Sequence, residues 1–331
     1  MALQRRSLWR FLIRCSIFFL IAPFGKSIEA AESVSNGHKR KVSERASQNN
    51  ANKLPLSIAD PIATTQATTS SLPFSAPSEP GQTFRDCSDC PEMIIAPPGV
   101  FTMGVAENDG YRDEQPPHLV TIQNAFAVGR YEVTFNEWDY CVSENGCQNY
   151  HPDDAGWGRG KHPVINVSWR DAQEYIQWIN RKTKQTYRLL SESEWEYVAR
   201  AGTSTHFNVG TRITTDQANF DGTYVFNGSS KGKYRHQSMP VGSFSPNIFG
   251  LYDMHGNVRE WVEDCYNKTY QNTPTDSKPY IEASCEQQSI RSGSWNYEPF
   301  AIRSSARFKN TPTFRIDDIG FRVARSISSL H

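Results

Sequence analysis

Residues 203–250 set the tightest limit on what this chain can fold into. The segment carries no helical or alternating apolar period, and Gly, Asn, Ser, Thr and aromatic side chains dominate it. Irregular backbone of that length is uncommon inside a folded domain, because every buried N–H and C=O still needs a partner. Something besides a core must hold it, such as bound metal or disulfides. The 8 Trp, 14 Tyr and 21 Gly among 331 residues agree with an aromatic-rich, loop-rich fold and argue against a helical bundle.

The cysteines and the N-terminus bear on that support. Arg5, Arg6, Arg10 and Arg14 precede an apolar run from Cys15 to Phe24, and the small residues Ala30 and Ala31 follow. This is the order of a secretory signal over residues 1–31, with an uncleaved anchor as the alternative. The run is too short to span a bilayer comfortably, so no membrane span is expected beyond it. Export to the periplasm or outside the cell makes disulfides possible. Cys87, Cys90, Cys141, Cys147, Cys265 and Cys285 form an even set. Proximity favours Cys87–Cys90, Cys141–Cys147 and Cys265–Cys285. A redox-active C-x-x-C at Cys87 is the rival reading, but Pro91 and a strand-like run follow where a helix would be needed. Residues 32–83 are rich in Ser, Thr, Ala, Asn and Pro and read as a disordered linker. The 35 basic and 35 acidic residues balance, which gives no electrostatic case for nucleic acid.

A single domain is expected over 84–327. Met93–Ala96 and Gly99–Met103 bracket Pro97-Pro98 as a strand, turn, strand unit, and 118–122 and 126–128 continue the β character. Thr134 and Glu137 make a capping box, which predicts a helix to about Ser143. A second helix starts near Ser168, with Ala172, Tyr175, Ile176 and Ile179 on one face. A third follows the box Ser191/Glu194 and stops at Gly202. Short strands are expected at 256–262, 289–295 and 320–325.

Several segments in order resemble the formylglycine-generating-enzyme (sulfatase-modifying-factor) family. They include Gly99–Gly104, Tyr131–Thr134, Pro163–Trp169, Arg188–Tyr197, Ala218–Phe220, Pro240–Phe244, Gly250–Trp261, Arg291–Trp295 and Gly320–Val323. The resemblance implies an α+β, irregular α/β domain, distantly C-type-lectin-like, with low regular secondary structure and structural calcium. It implies a calcium site at Asp253, Gly256, Val258 and Glu260, hard oxygen donors on a tight turn. A second family calcium site matches Asn219 and Phe220. Its acidic loop reads Lys231–Arg235 here. Cations cannot ligate calcium, so the second ion is doubtful.

The founding enzymes bind copper(I) through two cysteines after the Gly-Ser-aromatic segment. The corresponding stretch, Ser294–Arg303, has none, so copper is not expected. The sulfoxide-synthase (ergothioneine-type) branch needs an H-x-x-x-H-x-E iron triad, and no such spacing occurs. A periplasmic branch that matures a pyoverdine-type chromophore also lacks the cysteines. The family groove would contain Trp261, Trp295, Asn296, Glu298, Arg303 and Arg307. Glu298 is the candidate general base, with the arginines holding carboxylates. The alternative pairs Arg303 and Arg307 structurally with Asp317, Asp318 or Glu260. Two functions follow. One is an exported oxidative maturation enzyme acting on a peptide or peptide-derived substrate. The other is a non-catalytic calcium-stabilised module that binds a protein, peptide or small polar ligand.

Overall fold

The structure, a computed structural model, describes residues 79–327. The expected signal and nearly all of the expected linker lie outside the described residues. In chain order the strands are β1 (Thr83–Phe84), β2 (Met93–Ala96), β3 (Gly99–Met103), β4 (His118–Ile122), β5 (Phe126–Gly129), β6 (Tyr187–Leu189), β7 (Arg259–Cys265), β8 (Gln288–Arg291), β9 (Phe308–Asn310), β10 (Ile319–Phe321) and β11 (Val323–Ser326). The α-helices are α1 (Phe135–Ser143), α2 (Trp169–Thr183) and α3 (Glu192–Arg200).

Five strands form an antiparallel sheet in the order β1-β2-β5-β11-β6. Four more form a mixed sheet, β10-β7-β8-β9, whose β10–β7 pair is parallel. β3 and β4 pair as a separate two-stranded sheet. This corrects the expected strand, turn, strand unit at 93–103. β2 pairs with β1 and β5, while β3 crosses Pro97-Pro98 into another sheet. Proline removes a backbone donor, so the ladder breaks there. Thr83 pairs with Ile94, so β1 starts at the expected domain boundary.

All three helices begin at capping boxes, Thr134/Glu137, Ser168/Asp171 and Ser191/Glu194, each satisfying amides that the first turn leaves open. α2 buries Ala172, Tyr175, Ile176, Trp178 and Ile179 as one face. Tyr175 stacks on Trp138 of α1 and meets Phe321 of β10 edge-on, which ties both helices to the mixed sheet. α3 ends with Ala201 in the left-handed region, one residue before the expected glycine. Every residue of α3 is buried, including Glu192, Glu194, Glu196 and Arg200. A buried helix with that many charges must deliver them to partners. Among the described residues, no helix is long and apolar enough to cross a membrane.

The disulfides join Cys87–Cys90, Cys141–Cys147 and Cys265–Cys285, which suits an oxidising compartment. Their sequence separations are 3, 6 and 20. Loop-closure entropy makes the longest loop matter most, at about 3 kcal/mol. A Cys265→Ser/Cys285→Ser variant is expected to lose about that much in a denaturant titration, and more than the same change at Cys87/Cys90. An equal or smaller loss would contradict the entropic account.

Candidate functional site

The connection from β8 to β9, residues 292–307, carries all of the expected groove residues except Trp261, which lies in β7. Ser292 and Gly293 both adopt positive φ, 83° and 67°, which reverses the chain. A Cβ on Gly293 would lie 2.6 Å from the Ala301 carbonyl, so only glycine fits. The Ser294 hydroxyl sits 2.9 Å from Asp318 and 2.7 Å from the Asn296 amide oxygen. Asp318 in turn pairs with Arg259 at 2.6 Å. Backbone bonds from Trp295 to the Asn257 carbonyl and from Asp221 to the Tyr297 carbonyl fix the loop on two further segments. Held this way, Asn296 and Glu298 project as exposed side chains.

Aromatic walls flank the loop. Trp157 meets Trp295 edge-on at 5.3 Å, and Tyr234 stacks on Trp295 at 6.1 Å. On the other side Phe300 meets Tyr111 at 5.0 Å and Phe226 at 5.6 Å, and Phe226 meets His206 at 5.1 Å. Burial raises the Tyr111 phenol pKa, and the Glu298 charge raises it further, so the two groups share one electrostatic environment. His206 lies 3.5 Å from Asp109, and burial lowers its pKa.

The arginines are not groove ligands. Arg303 is fully buried and forked onto Glu114 at 2.8 and 2.6 Å, with further bonds to the carbonyls of Phe300 and Asp109 and to Ser305. Arg307 is forked onto Glu192 at 2.7 and 2.8 Å and also bonds the carbonyls of Asp113 and Asn267. Both are structural, as the alternative held, but their partners are not Asp317, Asp318 or Glu260. Sequence spacing carried no signal for the real partners, which lie 189 and 115 residues away. Trp261 is also a core residue, its Nε1 donating to the Val167 carbonyl at 3.0 Å.

The residues of the expected calcium turn hold a backbone shape rich in positive φ, and one of the four expected ligands, Glu260, has other partners. Asp253, Gly256 and Asn257 all have positive φ. Gly256 packs so tightly on Asn219 that a Cβ would sit 2.2 Å from its carbonyl oxygen. Glu260, fully buried, is already occupied. Arg322 donates to Oε1 at 2.9 Å and the Trp195 indole donates to Oε2 at 2.7 Å. The Gly256 carbonyl accepts from the Ser292 hydroxyl. Among the described residues no three His, Cys, Asp or Glu side chains converge on a metal position.

The buried carboxylates around this turn outnumber the positive charge. Burial raises the Glu132 pKa well above the carboxylate range, and the charge of Asp253 adds to this. Burial likewise pushes Asp253 up to about 6. Glu132 Oε2 and Asn219 Oδ1 are buried without a hydrogen-bond partner. Three buried carboxylates, Glu132, Asp253 and Glu260, thus face a single guanidinium, Arg322. A divalent cation fits the Glu132/Asp253 end, where oxygen donors are left over, and not Glu260. Glu132 lies within the Tyr131–Thr134 segment but was not singled out from the sequence, because a lone acidic residue beside a strand looks like a solvated one.

The second calcium site fits less well. The Asn219 carbonyl accepts from the Asn257 amide, and Phe220 is packed in a small core with Phe207 and Ile302. Arg235 donates to the Thr215 carbonyl. His255 is buried, its Nε2 accepting from the Asn208 amide and its Nδ1 facing the Ile302 carbonyl. Those partners fix one neutral tautomer, and burial lowers the pKa to about 4. It is no proton acceptor near neutrality. The six described cysteines are all in disulfides away from this loop.

Residues 79–327 match the sulfatase-modifying factor enzyme 1-like domain. The formylglycine-generating enzyme of Mus musculus is 27% identical over 289 residues, covering 70% of this chain and 74% of that protein. The inactive C-alpha-formylglycine-generating enzyme 2 of Mus musculus is 30% identical over 282 residues, covering 71% and 86%. A chlamydial relative, serine/threonine-protein kinase pkn1 of Chlamydia pneumoniae, is 29% identical over 72% of this chain, which spans only 38% of that protein's length. Among solved structures, PvdO from Pseudomonas aeruginosa superposes with a TM-score of 0.67 at 36% identity, covering 76% of this chain and all of that one. The chain therefore belongs to the formylglycine-generating-enzyme family, whose fold its mixed sheets, few helices and long ordered loops reproduce.

Proposed function

We propose that this is an exported oxidative maturation enzyme that takes a peptide or peptide-derived substrate at the loop carrying Asn296 and Glu298. The observation that carries this reading is the exposed Glu298 carboxylate beside the Tyr111 phenol, on a loop pinned from several sides between aromatic walls. Glu298 is the group that would accept a proton from the substrate, and Asn296 would orient it. Copper held by a cysteine pair is not part of this reading. The test incubates the purified protein, with dioxygen, in an envelope extract from cells lacking it. Mass spectrometry then follows the appearance of products two hydrogens lighter than their precursors. Glu298→Gln is expected to slow their formation by roughly 10²-fold or more. Unchanged turnover would remove Glu298 from the mechanism.

A second reading, a non-catalytic binding module, is favoured by the commitment of Arg303, Arg307 and His255 to the fold. It predicts that the same extract yields a ligand retained on the protein and released unchanged.

Structural calcium also belongs to the proposal, held by Glu132 and Asp253. The ion would supply the missing positive charge and no chemistry. Chelator is expected to lower the melting temperature of the purified protein, and excess calcium to restore it. At a concentration 100-fold above Kd the ion adds about 2.7 kcal/mol. Glu132→Gln should abolish the response, and indifference of the wild type to chelator would rule the site out.

A further inference from the structure

A cavity of about 320 Å³ lies where three walls meet. One is the connection from β1 to β2, the second is the turn from β5 into α1, and the third is a pair of loops joined by the Val241 amide and the Lys161 carbonyl at 2.9 Å. Neither the 292–307 loop nor the expected calcium turn lines it. Much of the wall is fixed in advance. Glu92 accepts from Arg130 at 2.6 Å and from Arg85 at 3.1 Å. Burial works to raise its pKa, but the two guanidiniums outweigh that and lower it, so Glu92 is ionised and already neutralised. Tyr131 stacks on Tyr252 at 4.9 Å and lies so close to Gly242 that a Cβ there would sit 2.9 Å from the ring. One Glu137 oxygen caps α1, accepting from the Thr134 amide and hydroxyl at 2.7 and 2.8 Å.

Other groups on the same walls have nothing in the fold to bond. Among the described residues the Lys161 ammonium makes no ion pair or hydrogen bond, and the Asn136 amide and the Tyr131 hydroxyl make none either. The second oxygen of Glu137 has no donor, and Asp89 has only the neighbouring Ser88 hydroxyl at 2.5 Å. The cavity thus presents uncommitted charge of both signs, a cation on the third wall and carboxylates on the first two. A purely anionic ligand would meet Lys161 but be repelled by Asp89 and Glu137, and a purely cationic one would meet the reverse. A neutral apolar ligand would strip water from all three and return nothing. A zwitterion satisfies both signs at once. The volume is at the small end of ligand cavities, which suits one amino acid and not an oligopeptide. The Tyr131 ring and Val241 are the apolar surfaces left for its side chain. Walls held in place before binding lower the ordering cost.

We propose that this cavity binds a free α-amino acid with an uncharged side chain, its carboxylate on Lys161 and its ammonium between Asp89 and Glu137. The site does not rest on the Glu298 reading. The test titrates the full-length protein, by calorimetry, with each of the protein amino acids in turn. Saturable binding by at least one with an uncharged side chain is expected. The N-acetyl derivative of that amino acid lacks the ammonium and its amide lacks the carboxylate, and each should bind about tenfold more weakly or worse, the cost of one charge-assisted bond. Lys161 is exposed, so Lys161→Met should keep the melting temperature of the wild type. It should weaken the free amino acid by about tenfold or more and leave the amide derivative unchanged, because the amide has no carboxylate to lose. Glu298→Gln should bind as the wild type does, so a failed reaction and a failed cavity site give different results. No saturable binding of any amino acid up to about 10 mM, a range that admits very weak sites, would overturn the proposal. So would binding confined to charged side chains, an N-acetyl derivative that binds as well as its parent, or binding that survives Lys161→Met.

Discussion

Glu192→Ala is expected to destabilise the domain by about 3–5 kcal/mol, the range for removing one partner of a buried ion pair. Glu192 heads α3 and is the shared partner of two buried guanidiniums, Arg291 at 3.0 Å and Arg307 at 2.7 Å. Arg291 keeps Glu196 at 2.7 Å and the Tyr270 hydroxyl at 2.9 Å, but Arg307 keeps no anion, only two backbone carbonyls and the faces of Tyr266 and Tyr270. Removing the carboxylate therefore strands a nearly buried cation where water cannot solvate it. The melting temperature should fall by roughly 10 °C at this domain size. Asp276→Ala, which breaks the exposed pair with Lys278, should leave it unchanged. A comparable drop in both variants would show that burial is not the cause. The same site gives a pH signature. Burial pushes the Glu192 carboxyl up, but Arg307 and Arg291 outweigh it and hold the pKa at about 2, against 4.5 when unfolded. The unfolded chain thus takes up a proton first on acidification. The stabilisation is complete above about pH 4.5 and is lost towards pH 2. Its size is about 3 kcal/mol. Unfolding measured across that window should show a steeper decline for the wild type than for Glu192→Gln.

What the sequence made legible was local. Capping boxes name their own helix starts, because N-cap and N3 side chains lie three residues apart and act on the same turn. The cysteine pairs were near neighbours in sequence and became pairs in space. The position of the loop at 294–307 followed from family motifs. The partners of its charged residues did not. Arg303 finds Glu114 and Arg307 finds Glu192 across more than a hundred residues, through contacts that only the folded sheets create. The burial of the α3 glutamates was not legible either, since a helix with Glu at three positions in five seldom lies in a core. The same limit hid Glu132 beside the expected calcium turn and the Arg322 guanidinium that donates to Glu260. Trp157 and Tyr234 carried no pattern beyond being aromatic residues in glycine- and lysine-containing loops.

Arg322→Met should be at least as damaging as the loss of Glu192, and damaging in a different way. Arg322 is fully buried and donates to Glu260, to the Gly129 carbonyl and to the Tyr252 carbonyl at 2.9 Å each. It joins β11's neighbourhood to β5 and to the turn before β7, so its loss frees acceptors in three segments. It is also the one cation among Glu132, Asp253 and Glu260. Methionine matches the volume but returns none of the charge, so three carboxylates would remain buried together. A cost above about 3–5 kcal/mol is expected at neutral pH. Unlike Glu192→Ala, this variant should regain stability on mild acidification, because protons then neutralise the carboxylates that the guanidinium no longer opposes. Added calcium should also restore part of the loss if Glu132 and Asp253 bind it, and Glu132→Gln in the same background should remove that rescue. Two opposite pH responses from two buried arginine clusters would separate a network held by arginine alone from one that shares its anions with a metal. Stability of Arg322→Met that is equal to the wild type, or that falls further on acidification, would show that the carboxylates are already protonated and that no cation is needed there.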